Sequence, residues 1–382
     1  ISYERVADYW GRDLSVNKGR YNFDTLRFEY YRDSTVALEA FKANAFDFRQ
    51  ENTAKIWATQ YKFPAIKKGQ VIKQTLTNGN PTGMQSFAFN IRRSKFQDRH
   101  VRQALALTFD FEWANKNLFF GQYTRTQSYF SNSELASHGL PGAAELQLLE
   151  PLRGQIPDEV FAKAYQAPET DGSGNARRHL RQAKRLLNGA GWAVKDGRLT
   201  NAKTGQAMEI EILLVNQGFT RIVAPMQRAM ERLGVKVKLR LVDTSQYINR
   251  LREFDFDIIV ANWGQSLSPG NEQRDFWGTS AADRPGSRNY IGIKDPAIDK
   301  LIDHVIFAKS RAGLVAASRA LDRVLLWNHF VIPNWHINKY RIAYWNRFGH
   351  PPAPPKYGLG FPDTWWLDGA KDKALRGAVK GR

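Results

Sequence analysis

The sequence contains no cysteine. A disulfide framework and a thiolate metal site are therefore excluded. A chain without thiols fits an oxidising compartment, where a stray one is a liability. Long apolar runs are also missing, and no stretch approaches the length of a membrane span. The chain opens at Ile1 without a signal-peptide pattern and reads as processed or truncated there. Catalytic motifs are equally scarce. Of the 7 histidines, at 100, 138, 179, 304, 329, 336 and 350, none forms the two-histidine helical pair of a metalloprotease. Gly172-Ser173-Gly174 lacks a third glycine and follows no strand, so it reads as a flexible turn, not a phosphate loop. Gly264-Gln265-Ser266-Leu267 begins like a nucleophile elbow, but Ser268 stands where that motif requires glycine. No catalytic residue, cofactor or metal is expected. A hydrolase whose two acids lie far apart in sequence is the alternative left open.

What is present is size, aromatic content and positive charge. The 382 residues exceed one simple core and suffice for two lobes. At 42% hydrophobic and 24% charged residues the chain is of ordinary globular type. Aromatics reach 13%, with 11 Trp; such side chains build cores, and they also suit ligand clefts. Lys and Arg number 56 against 37 acids, a net charge of +19. That charge suits a nucleic-acid scaffold, or a protein that attracts acidic ligands. The basic residues are scattered, however. The densest run, from Arg177 to Arg185, keeps Leu180, Ala183 and Leu187 as a helical apolar stripe and turns its charges outward. This is a solvated helix face, and no nucleic acid is expected as a partner; a basic nucleic-acid-binding scaffold stays as the second alternative.

Residues 21–31 alternate as a strand does, and a short helix is expected after the cap Ser34. Val71–Thr77 and Met84–Ile91 are further strands, parted by the turn residues Asn78-Gly79-Asn80-Pro81. A helix starts at Asp98. Residues 121–175 are irregular, and so long a stretch usually has a task or wraps a surface. From 176 onward the pattern runs helix, strand (208–215), helix (222–233), strand (235–242), helix (245–253), strand (258–261). Such alternation builds an α/β fold with a mostly parallel sheet.

In open parallel sheets ligands sit beyond the carboxyl ends of strands. Asn262 to Glu272 occupy that end of a predicted central strand. There Trp263 supplies a flat wall, Asn262, Gln265, Ser266 and Asn271 supply donors and acceptors, and Gly264 and Gly270 let backbone approach a ligand. The preceding strand ends at Asn216-Gln217-Gly218-Phe219-Thr220-Arg221, which sets Arg221 in a first helical turn as an anion site. The plain alternatives are that Arg221 is a surface residue and Trp263 a core plug. Trp277, and Arg125 and Tyr129 from the irregular stretch, complete the expected ligand contacts, with core packing or solvent as their plain alternatives.

SKFQDRHVRQALALTFDFEWANKNLFFGQ (94–122) resembles the signature of the family 5 extracellular solute-binding proteins, the peptide-delivering components of ABC importers. HLRQAKRLLNGAGW (179–192) is similar to that family's Ala-x-x-Leu-Leu-x-x-Ala-Gly helix. NYIGIKDPAIDKLID (289–303) and HFVIPNWH (329–336) match later landmarks. GQYTRTQSYFSNSELAS (121–137) and ANWGQSLSPGNEQRDFW (261–277) look most like the Yej-type branch.

The resemblance implies a periplasmic protein of type II binding-protein fold, in which two α/β lobes close about a hinge on an extended peptide and present it to a permease. It implies a chain that starts late. Residues 1–88 and 341–382 are then parts of lobe one, 89–340 is lobe two, and the hinge lies near Phe89 and Tyr344. Lobe one, being incomplete, should show an exposed apolar face or be covered by the missing N-terminal segment as a separate chain. Many members place an Asp three residues beyond the Trp matching Trp263, where it holds the peptide's amino terminus. Here that position is Ser266, and a hydroxyl does not neutralise a buried ammonium. Glu272 or Asp275 reaches in instead, or a free amino terminus is not required. The carboxylate-binding position falls on Arg221.

Overall fold

Runs of β-branched and leucine residues at Glu209–Leu214, Lys236–Leu241 and Ile258–Trp263 form strands. The helices Thr220–Glu231 and Thr244–Arg252 connect them. The first helix buries Ile222, Val223, Met226, Ala229 and Met230, a stripe at helical spacing. Asp243 caps the second by accepting a hydrogen bond from Gln246 N at 2.9 Å. These strands pair in parallel, as the alternation requires. The computed structural model, which describes residues 1–380, extends this half-sheet to five strands in the order 236–241, 209–214, 258–263, 84–89, 331–333. The last two pairings are antiparallel. The sheet is therefore mixed, not mostly parallel. The antiparallel half comes from segments far apart in sequence, which no local pattern announces. Ile258–Trp263 is the middle strand.

These elements belong to a unit of residues Pro81–Ile337. Its core gathers around Ile259, Trp263, Trp277, Ile298, Leu301, Leu321 and Leu325, with the helices Pro296–Ile306 and Arg311–Trp327 packed on it. Asp98 caps the helix Arg99–Ala106, accepting from His100 N at 2.7 Å. The irregular stretch 121–175 crosses this core. It holds short helices at Ala143–Leu149 and Glu159–Ala162 and pairs Thr124–Arg125 with Trp335–His336.

The other unit comprises Ile1–Asn80 and the chain from Asn338 onward. Its sheet has three antiparallel strands, Phe48–Gln50, Lys339–Trp345 and Val71–Thr77. Lys339–Trp345 alternates its burial: Ala343 and Trp345 pack with Phe41, Trp57 and Val71, while Ile342 and Tyr344 pack with Phe348 and Trp365. The strand expected over 21–31 shrinks to Thr25–Arg27; at its expected start Tyr21 takes a left-handed φ of 57°, outside the extended region. The helix Ser34–Lys42 is capped by Asp33, not Ser34; its carboxylate accepts from Thr35 N and Val36 N. This unit exposes Trp10 (83%), Tyr30 (78%), Val16, Tyr3 and Phe28.

The expected crossings at Phe89 and Tyr344 lie inside elements instead. Phe89 ends a strand of the second unit's sheet, and Tyr344 sits in the middle strand of the first unit's. The division falls at 80/81 and 337/338.

Candidate functional site

Strands 209–214, 258–263 and 331–333 run the same way, since the last two are each antiparallel to 84–89. Their carboxyl ends share one edge of the sheet, where Asn216–Arg221, Asn262–Glu272 and Asn334–His336 emerge. Gly83 shapes this edge. Its φ is +67°, and a Cβ there would collide with the Trp263 carbonyl.

Trp263 is not a wall of the site. Its indole is fully buried, 4.9 Å from the Trp277 ring and 5.9 Å from Tyr290, and its Nε1 donates to Arg288 O at 3.0 Å. It is the core plug. It ends the strand face, with Ile259 and Ala261, that is buried throughout, while Asn262 on the opposite face is exposed. Trp277 is corrected likewise: it is fully buried and donates through Nε1 to Gln273 Oε1 at 2.9 Å. Tyr129 and Arg125 are also interior, with Tyr129 against Trp277 and Arg125 over Phe109 and Phe111. The irregular stretch turns them inward because it wraps the core.

The two buried indoles fix the exposed loop. Gln273, itself fully buried, accepts from Trp277 and donates to Gln265 Oε1 at 2.8 Å. Arg288, held by Trp263, donates through Nη2 to Asn262 O at 2.7 Å. Gln265 and the backbone at Asn262 are thus anchored through the core.

Asn262, Gly264, Ser266, Asn271 and Glu272 are exposed, and Gln265 and Gly270 are half-buried. Several make turns locally. Ser266 Oγ accepts from Ser268 N at 3.1 Å, Glu272 Oε1 accepts from Gly270 N at 2.8 Å, and Asn216 Oδ1 accepts from Gly218 N at 2.8 Å. Asp275 is paired with Arg284 and accepts from Arg288 N, so Glu272 is the acid of this loop that faces outward. Arg221 is exposed in the first turn of its helix and forms no ion pair among the described residues.

The aromatic surface of this edge lies elsewhere, and sequence reasoning missed it. Phe219, half-buried, stacks on Trp335 at 6.0 Å and 23°. Trp335 in turn packs on Phe119 at 4.4 Å. His336 follows, half-buried, with Nδ1 3.2 Å from Thr126 Oγ1. Burial holds its pKa below the ordinary histidine value. The available signals were Phe219 within the quoted strand-end run and the Pro333-Asn334-Trp335-His336 sequence after a strand.

Sheet order and strand-end loops define a periplasmic-binding-protein fold of type II. AppA of Bacillus subtilis, solved in complex with a nonapeptide, is similar at a TM-score of 0.70 and 20% identity over 96% of this chain and 64% of that one. Residues 1–284 match the bacterial extracellular solute-binding proteins, family 5 Middle, and the chain belongs to that family. A probable peptide-binding protein, YejA of Agrobacterium fabrum, is 46% identical over 96% of this chain and 60% of its own length. The uncharacterized protein YejA of Escherichia coli is 43% identical over 100% of this chain and 63% of its own. The chain thus spans about three-fifths of these curated relatives.

Proposed function

We propose that this chain captures peptides or peptide-like compounds in the periplasm and hands them to an ABC importer, without catalysis. One observation carries the reading. In a chain of this family, the carboxyl edge of the second unit's sheet gathers an anchored amide loop, an exposed unpaired arginine and a half-buried aromatic ring. A peptide lying along this edge would meet the backbone and amides of Asn262, Gly264, Gln265, Ser266 and Asn271. Phe219, not Trp263, is its apolar wall. Arg221, in the first turn of its helix where the dipole favours an anion, takes the terminal carboxylate, Asn216 opens the turn that leads to it, and Glu272 takes the ammonium. Main-chain pairing gives affinity with little side-chain preference. The apolar side chains exposed on the first unit support contact there with another polypeptide.

Arg221→Ala tests the reading by calorimetry on the intact protein. The variant should lose roughly tenfold or more in affinity for peptides with a free carboxyl terminus. It should lose little for the same peptides amidated. Equal loss for both removes the carboxylate role.

A further inference from the structure

Buried arginines in the second unit show what a satisfied guanidinium looks like. Arg102 donates to the carbonyls of Phe96, Gln97, Asn328 and His329 at 2.6–3.2 Å. Arg323 pairs with Glu145 at 2.6 Å and donates to the carbonyls of His138, Gly139 and Leu140. Arg125 has nothing comparable. It is 6% exposed, and Nε, Nη1 and Nη2 all lack an acceptor among the described residues. The faces of Phe109 and Phe111, 4.8 and 5.5 Å from its central carbon, offer cation–π contact but accept no N–H bond in the guanidinium plane. Burial lowers its pKa to about 10, which still leaves it charged at neutral pH. A buried charge without a partner is costly, so natural interiors supply one.

The surroundings say what kind. Tyr165 interacts electrostatically with Arg125 and with Tyr129. Its ring also meets Trp327 at 5.4 Å and His329 at 6.3 Å. Tyr129 Oη, Trp327 Nε1 and His329 Nε2 are all buried without a partner. An indole N–H only donates. Burial keeps both tyrosines protonated, with Tyr165 raised to about 12, and it keeps His329 neutral, so its ring offers one N–H. The unmatched atoms around Tyr165 are therefore donors or able to donate. Glu112 and Asp110 act on Arg125 from a distance. Their oxygens accept from Thr170 and from Trp113 N, which leaves Asp110 Oδ2 as one rival partner, and the buried Oδ1 of Asn334, whose backbone carbonyl accepts from Thr126 N, as another.

We infer that this donor-lined interior, between the 124–131 segment, Tyr165 and the end of the 311–327 helix, holds one small monovalent anion, a halide or a carboxylate of formate size, on the Arg125 guanidinium. The ion is a structural counter-charge within the second unit and does not depend on peptide capture.

Bromide locates it. Crystals of the intact protein exchanged from chloride into bromide should show an anomalous peak within about 3.5 Å of an Arg125 nitrogen, hydrogen-bond reach for a halide. In solution, chloride should raise the melting temperature saturably by about 3 °C over the same ionic strength of a bulky organic anion. Arg125→Met should abolish that chloride-specific difference whatever its own stability. Ordered water in place of the peak overturns the inference, as does Arg125 turned onto Asp110 Oδ2 or Asn334 Oδ1. Chloride responses equal in variant and parent overturn it as well. So does a peak seen only at molar bromide with no melting response, which marks an adventitious ion only.

Discussion

At the scale of single residues, burial decides role more than residue type does. Trp263 ends one strand, and Phe219 lies in the turn that follows its parallel neighbour. One is sealed by Trp277 and Tyr290, and the other keeps part of its ring exposed. His329 shows the same rule in its titration. Burial first, then Arg102 and Arg99, push its pKa down to about 3, against a smaller opposing pull from Glu159. The folded ring stays neutral while the unfolded one takes a proton near pH 6.5. Its contribution to stability is complete above that pH and is lost as pH falls toward 3, because the unfolded state then binds the extra proton. The loss amounts to a few kcal/mol, on the order of 1.4 per pKa unit. His329 sits at φ 51°, a conformation that asparagine tolerates. Urea unfolding of His329→Asn between pH 7 and 4 should therefore show a shallower acid decline than the parent. Parallel declines would contradict a neutral buried ring.

At the scale of elements, the strand-end edge depends on close backbone approach. Gly83 combines a left-handed φ with no room for a Cβ against the Trp263 carbonyl. Gly83→Ala should destabilise the protein by more than about 1 kcal/mol, since strain and collision add. Hydrogen exchange should locate the loosening at Met84–Phe89 and its partner Ile258–Trp263. Unchanged stability would mean that the edge has slack. This edge also marks what the sequence could show. The helix–strand alternation from 176 to 263 was legible because its apolar periods are local, and so was the helix start at Asp98; the cap Asp243 was not read. The antiparallel half of the sheet was not, because Met84–Phe89 meets Val331–Pro333 across more than half of the chain. The location of the loop 262–272 at the end of a central strand was also legible. Which side of it faced solvent was not, because the burial of Trp263 depends on Trp277, brought in by the helix Glu272–Trp277. Trp335 escaped notice for a similar reason: its partners Phe109, Phe119 and Phe219 are gathered by tertiary structure alone.

At the scale of the molecule, the family and the fold suit the proposed capture of peptides. A chain of +19 net charge also attracts acidic compounds, and a hydrolase would cut what it holds. Native mass spectrometry of the intact protein, purified without added ligand, separates these readings. The account predicts bound species whose fragmentation gives amino-acid sequence, exchangeable for added short peptides and recovered uncut after long incubation. Peptides returned as cleaved products, or only non-peptide ligands that added peptides fail to displace, would contradict it.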